Sequence, residues 1–251
     1  PRGAFYPTQL SAVSAWLRLQ ASSQSFGEWT NWVDVLNSNP GAINAARRPA
    51  VAAAANGLPL AAFLTNDCVA WPIAASNYNR DTFGIILDVA PTAASGVQVL
   101  WCISVGAGGA NHKAIVTYFS GTNWVIDCYI DDVNGRQLVV ASAAAAGTRR
   151  RYGIEYDSSV GGDGCVTVTI NGAVQSLSGA NLGAGGSLGQ LQAVTGNILF
   201  GNFVDAAAPS SALSGNQGPN AFAMTSKMAG ATTGLLTTAA RAAITSFEVP
   251  A

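Results

Sequence analysis

The clearest pattern along this chain is strict alternation of apolar and polar positions. Residues 165–177 read Cys-Val-Thr-Val-Thr-Ile-Asn-Gly-Ala-Val-Gln-Ser-Leu, with Val166, Val168 and Ile170 separated by Thr167 and Thr169. A period of two sends the two sets to opposite faces of a strand. Asn171-Gly172 then supplies two residues that tolerate positive φ, which the tight turn of a two-residue hairpin demands. The segment predicts a β-hairpin with its valines toward a core and its threonines toward water. Asn134-Gly135 predicts a second hairpin turn, between 124–133 and 136–141.

Further strands are predicted at 8–19 (after a short lead-in), 26–34, 60–64, 82–89, 97–105, 113–119, 123–130, 136–141, 151–157 and 197–203. The Gly-rich stretches 106–111, 161–164, 179–189 and 214–220 read as loops, as does 37–49. The alanine run at 50–55 is cut at once by Asn56-Gly57-Leu58-Pro59 and reads as a short connection. Only residues 234–247 carry a helical period, with Leu236, Ala240, Ala243, Ile244 and Phe247 on one face. Many short strands and one late helix predict an all-β fold, an antiparallel β-sandwich or jelly roll with a short C-terminal helix. No repeat or linker divides the chain, so 1–251 is expected to be one domain, with an N-terminal arm at 1–9.

Composition alters this picture in one respect. Only 10% of the 251 residues are charged, against about 25% in soluble domains. Hydrophobic residues make up 49% and the net charge is −1. Two readings stand together: a surface packed permanently against other copies or partners, and a plain bias toward Ala and Gly. A chain that is not basic excludes nucleic acid as a partner. No run of 18 apolar residues is present, so no membrane helix is expected. No signal-peptide core follows Pro1, which is expected to be the natural start of a cytosolic product left by loss of an initiator Met, the alternative being a start exposed by removal of a signal peptide. Cys68, Cys102, Cys128 and Cys165 match no zinc spacing and are expected as buried thiols.

Several segments in order carry a resemblance. They are Trp16, Trp29-Thr-Asn-Trp32-Val-Asp34, Arg48-Pro49, Asn56-Gly57-Leu58-Pro59 before Phe63, and Thr82-Phe83. The hairpin at 165–177, Ile198-Leu-Phe-Gly-Asn202 and Leu236-Thr-Thr-Ala-Ala-Arg241-Ala-Ala-Ile244 complete the series. The order resembles the laminin-G-like, concanavalin A-like lectin/glucanase jelly rolls, of the type common in bacteriophage structural proteins. The resemblance implies the sandwich fold. It does not select a function, because these jelly rolls host lectins, hydrolases, lyases and inert modules.

Glycoside hydrolysis needs two carboxylates astride the scissile bond, and the hydrolases of this resemblance carry Glu-x-Asp-x-x-Glu. That run is absent. The glutamates are Glu28, Glu155 and Glu248. Glu155 and Asp157 share a strand face and form the best catalytic candidate; the plainer reading is two solvated carboxylates offsetting Arg149-Arg150-Arg151. The lone His112 has no lyase-like neighbours and reads as a loop residue. No Gly-x-Ser-x-Gly elbow, phosphate loop or dinucleotide fingerprint occurs. Asp131, Asp132, Asp157 and Asp163 lie in loops where calcium would bind, although such loops are more often simple turns. No other cofactor is implied.

Trp16, Trp101 and Trp124 read as core. Trp71 and Tyr78 flank a polar loop and follow Asn66 and Asp67; these four residues are the candidate glycan site. Arg149, Arg150 and Arg151 are the candidate contact for an acidic glycan or an acidic patch on a neighbouring subunit, against the reading of a solvated cluster. The leading expectation is a non-enzymatic virion component, in a capsid decoration, collar, tail or fibre, made in a host cytoplasm. Its partners would be other virion proteins or copies of itself, and it would bind glycan. The alternative is a carbohydrate-binding adhesion module, and the third reading a polysaccharide-degrading enzyme.

Overall fold

A computed structural model of the chain describes residues 6–20, 24–25, 28–29, 31–42, 47–64, 67–92, 96–104, 113–202 and 213–248. The strands are β1 (Val13–Arg18), β2 (Gln24–Ser25), β3 (Glu28–Trp29), β4 (Asn31–Asp34), β5 (Gly41–Ala42), β6 (Ala50–Ala53), β7 (Pro59–Phe63), β8 (Val69–Pro72), β9 (Thr82–Pro91) and β10 (Val97–Ser104). They continue as β11 (Lys113–Ser120), β12 (Asn123–Tyr129), β13 (Gly135–Val140), β14 (Arg150–Asp157), β15 (Val166–Ile170), β16 (Ala173–Val174), β17 (Ser178–Leu182), β18 (Asn197–Phe200) and β19 (Gly215–Met224). One α-helix, α1 (Thr238–Ser246), follows.

All pairings are antiparallel and build two layers. In the first, β19 lies between β9 on one side and β1 with β7 on the other; β9 leads to β14, β15 and β16. In the second, the order runs β5-β8-β18-β10-β11-β12-β13-β17. Strand β4 pairs with β1 of the first layer and β5 of the second. The fold is an antiparallel β-sandwich with a short C-terminal helix, as the strand pattern predicts.

Between the layers sit Trp29, Trp32, Trp71, Trp101 and Trp124, with Tyr152, Tyr156, Phe63, Phe83 and Phe119, all essentially inaccessible. A second core lies on the outer side of the first sheet, where α1 covers it. There Trp16, Ile86, Phe222 and Met224 meet Leu235, Leu236, Ala240 and Ile244. Thr237 begins the helix, its side chain accepting a hydrogen bond from the Ala240 N–H (3.2 Å), which fixes the start four residues later than the apolar period suggests. Leu235 and Leu236 stay buried, but ahead of the helix.

The hairpin at 165–177 forms with Asn171 at φ 50° and Gly172 at φ 79°. Its threonine face is not solvated: Thr167 and Thr169 are 6% and 2% exposed, because the α1 side of this sheet is itself a packed layer. The other Asn-Gly behaves differently. Tyr129 pairs with Gly135, so 130–134 is a five-residue loop, and Gly135 is needed for close approach: a Cβ there would run into the Cys128 carbonyl.

Two segments read as loops are strands. Residues 178–182 extend the second sheet beyond β13, and 215–224 form the central strand of the first. Pro219 is tolerated there because the register with β9 shifts between Gln217 and Ala221, so the missing N–H falls at a bulge. The alanine run also joins a sheet, as β6 against β7. None of the four cysteines is in a disulfide, and all are buried.

Candidate functional site

The residues singled out from the sequence do not converge on one site. Trp71 is wholly buried: it stacks on Phe200 and its Nε1 donates to the Asn39 carbonyl (2.6 Å). Tyr78 is 8% exposed, packs edge-on against Phe83 and donates its hydroxyl to the Gln192 carbonyl (2.9 Å). Neither ring offers a face to a sugar, since both belong to the core. Asp67 accepts from the Leu64 N–H (2.7 Å), and burial pushes its carboxyl above the usual range. Asn66 and His112 lie outside the described residues.

The arginine triplet divides between faces. Arg151 is buried and grips Asp88 through Nε (2.8 Å) and Nη2 (2.5 Å); its Nη1 donates to the carbonyls of Ile244 and Phe247 at the end of α1. Arg150 donates to the Ala143 carbonyl (2.6 Å), and Arg149 is half-buried, with burial lowering its pKa. The triplet is therefore not a displayed anionic-partner patch; its last member holds the helix.

Glu155 is likewise structural, and inaccessible. Its Oε2 accepts from the Leu235 N–H (2.6 Å), the Leu236 N–H (2.9 Å) and Arg241 Nη2 (2.9 Å), while Oε1 accepts from Arg241 Nε (2.8 Å). With four hydrogen bonds and no exposed surface, the carboxylate is closed off from any substrate. Asp157 accepts from Lys227 (2.7 Å) and from Ser159. Of the aspartates considered for calcium, Asp163 pairs with Arg136 (2.6 Å), Asp131 organises its own turn and Asp132 accepts from Gln192. Among the described residues these carboxylates do not gather into a group of three or more ligands.

What the fold does assemble is one end of the second sheet. The β11–β12–β13 register sets Val116, Asp127 and Gln137 in one row. These positions face away from the core filled by Ile115, Ile126 and Leu138. Gln137 Nε2 donates to Asp127 Oδ1 (3.0 Å) and to the Tyr118 hydroxyl (3.3 Å). Tyr118 and Tyr129 are half-buried beside this pair, and Lys113 Nζ lies 5.8 Å from the Tyr129 ring centre. Burial pushes the Asp127 carboxyl up, against the opposing pull of Gln137, Tyr118 and Lys113. Burial, then Asp127, push the Tyr129 hydroxyl up to about 12.

Directly beyond Tyr129, the 130–134 loop forms one wall of a groove of about 540 Å³ lined by Arg80, Ile130, Asp131, Asp132, Val133, Gln192 and Ala193. Asp131 Oδ1 accepts from the Val133 N–H (2.9 Å) and Asn134 N–H (2.7 Å), and Oδ2 from Asn134 Nδ2 (2.9 Å). The Asn134 side chain, helped by those amides, holds the Asp131 carboxyl below the usual range. The opposite wall is tied down by Gln192 N–H donating to the Tyr129 carbonyl (2.9 Å) and Arg80 Nε donating to the Leu191 carbonyl (2.6 Å). Among the described residues the terminal nitrogens of Arg80 have no hydrogen-bond partner, and Arg80 lines the groove. Sequence reading missed this site because Arg80, the 130–133 loop and Gln192 come from three segments at least 50 residues apart. The one available signal was polar-tipped residues, Tyr118, Asp127 and Tyr129, at outward positions of otherwise apolar strands.

No protein-family model matches the chain, and no curated protein matches it in sequence. Solved structures do match in shape. Trypanosoma rangeli sialidase, captured with 2,3-difluorosialic acid, superposes with a TM-score of 0.57 at 14% identity, over 98% of this chain and 34% of its own. The botulinum neurotoxin serotype D binding domain gives 0.58 at 9% identity, over 95% and 51%. The botulinum neurotoxin type G receptor binding domain gives 0.56 at 9%, over 94% and 51%. This chain spans about one third of the sialidase and about half of each toxin domain. At such identities the likeness establishes a shared β-sandwich fold.

Proposed function

We propose that this chain is a carbohydrate-binding module whose site is the groove at the β12–β13 end of the second sheet and the tyrosine-bearing face that adjoins it. The observation that carries the reading is the groove itself: its volume falls in the range of small-ligand sites, roughly 300–1,000 Å³, and its walls mix donors with acceptors. A sugar hydroxyl both donates and accepts, so a guanidinium beside carboxylates and an amide serves vicinal hydroxyls from both sides. The half-exposed faces of Tyr118 and Tyr129 suit the apolar C–H face of a pyranose. The sialidase neighbour is captured with a sialic acid derivative and the type G toxin neighbour is a receptor binding domain, which supports looking for such a ligand on this fold. Glu155, the best acid candidate, is buried and bonded to Arg241 of α1 and to the Leu235 and Leu236 amides ahead of it, which supports binding without turnover.

The test is a glycan array followed by calorimetric titration of the best glycan. Wild type binds saturably. Arg80→Ala loses at least tenfold in affinity, equivalent to about 1.4 kcal/mol, while its melting temperature stays within a few degrees. Absence of signal from every glycan rejects the reading. The charge-poor composition, 10% charged residues, favours a second reading in which the module is packed into a phage particle. That reading predicts a stable symmetric oligomer by light scattering.

A further inference from the structure

We infer that the open edge of β17 is an interface between two copies of this chain, which pair antiparallel about a two-fold axis at Ala180. This surface shares no residue with the proposed glycan groove. Strand β17 ends the second sheet: β13 pairs with one side of it, and among the described residues no strand pairs with the other. Ser178, Gly179, Ala180 and Asn181 are exposed and Leu182 is half-buried, so the backbone donors and acceptors of that edge meet water. Sheets usually protect such an edge with lysine, proline, a bulge or a covering loop. Residues 178–182 have none of these. Their register with β13 runs without a shift, and residues 164–204 contain no charged side chain. The first sheet ends just as openly, on β16, where Ala173 and Val174 are exposed, and β17 begins only four residues after it.

Charge selects a second copy as the occupant. Residues 179 and 181 point to the same side of the strand. A Cβ at Gly179 would run into the Asp163 carboxylate and the Arg136 guanidinium, and Arg136 Nη1 donates to Asn181 Oδ1. The Arg136–Asp163 ion pair (2.6 Å) therefore lies along this edge, with its carboxylate over 179 and its guanidinium reaching to 181, and both side chains are partly exposed. A two-fold axis at Ala180 sets residue 179 of each copy opposite residue 181 of the other. Each Asp163 then faces Arg136 of the second copy, whereas a parallel pairing in register would bring arginine to arginine. Five residues of strand span about 17 Å. An edge of that length alone buries less than the roughly 1,200–2,000 Å² of a standard interface, so the dimer is weak and concentration-dependent.

The experiment is sedimentation velocity of the whole chain over a concentration series, with hydrogen exchange of residues 178–182 at its low and high ends. The expected result is a monomer–dimer equilibrium in which the β17 amides gain protection as the dimer fills. Ala180→Lys sets two like charges directly opposite one another, on Cβ atoms about 4.5–5.5 Å apart. It weakens the dimer at least about tenfold, equivalent to about 1.4 kcal/mol, and leaves the melting temperature within a few degrees because Ala180 is exposed. A chain that stays monomeric throughout overturns the inference. A trimer or larger ring also overturns it, because edge pairing about a two-fold axis closes at two copies. So does a dimer that Ala180→Lys leaves intact, since its contact lies elsewhere. If Ala180→Lys does not fold, the wild-type exchange series decides, and protection of 178–182 that does not change with concentration rejects the interface. Glycan binding is read separately on the array, so either reading can fail while the other stands.

Discussion

Replacing Glu155 with Gln removes one charge and almost no volume, yet it should loosen the whole C-terminal helix. Strand β14 presents Arg151 and Glu155 four residues apart, about 13 Å along a strand. The nine residues of α1 span about 13.5 Å. One strand thus supplies an anion to the amides of Leu235 and Leu236 ahead of the helix and a cation to its last carbonyls. These signs match the helix dipole at both ends. In Glu155→Gln the new amide points donors at Arg241, whose guanidinium is left buried without a counter-charge. Breaking a buried pair in this way costs about 3–5 kcal/mol, a large part of a total stability of about 5–15 kcal/mol. At roughly 2–4 °C per kcal/mol for chains of this size, the melting temperature should fall by roughly 6–20 °C. The assay is thermal denaturation together with hydrogen exchange of the α1 amides, because the helix can undock before the sandwich melts. Glu155→Leu combined with Arg241→Met should restore most of the loss, as no buried charge then remains unpaired. An unchanged melting temperature with unchanged α1 protection in Glu155→Gln would refute the clamp.

Trp71→Ala and Tyr78→Ala should each destabilise by about 3–5 kcal/mol in chemical denaturation, because both rings fill the core; a fully stable Trp71→Ala would mean the ring lies at the surface. Arg136 holds the Asp163 carboxyl below its usual range through a hydrogen-bonded ion pair. A depressed folded-state pKa contributes stability above the unfolded value, near 3.9, and that contribution disappears as pH falls through the folded value. The Asp163 titration followed by NMR should move back toward the ordinary range in Arg136→Gln, with a small effect on stability because the pair is partly exposed.

The layout of the sandwich was legible because alternation is a local property. Val166, Val168 and the Asn171-Gly172 turn name their faces and their hairpin without reference to anything distant. Strand β19 was not legible. Gly215, Gly218 and Pro219 carry loop chemistry, and they form a central strand only because a bulge absorbs the proline and β9 presses close on the other side. The misreading of Trp71 has a similar origin. Beside the polar loop that it and Tyr78 flank, and after Asn66 and Asp67, it looks like a displayed aromatic, but β8 is an inner strand of the second sheet, between β5 and β18. Burial also inverted the reading of charge. In a chain this poor in ionic groups, Arg151, Glu155, Asp88 and Arg241 were read as surface or left unread, yet they are spent under a helix. The groove combines Arg80 with Asp131, Asp132 and Gln192, and only the folded topology brings them together.

The most direct test of the central claim is chemical-shift mapping of the isotope-labelled protein during titration with the strongest glycan from the array. The account predicts saturating shifts confined to Arg80, residues 130–133, Gln192, Ala193 and the neighbouring Tyr129 and Gln137, with the α1 side of the molecule silent. Shifts centred on another face, or none at concentrations that saturate the array, would contradict it.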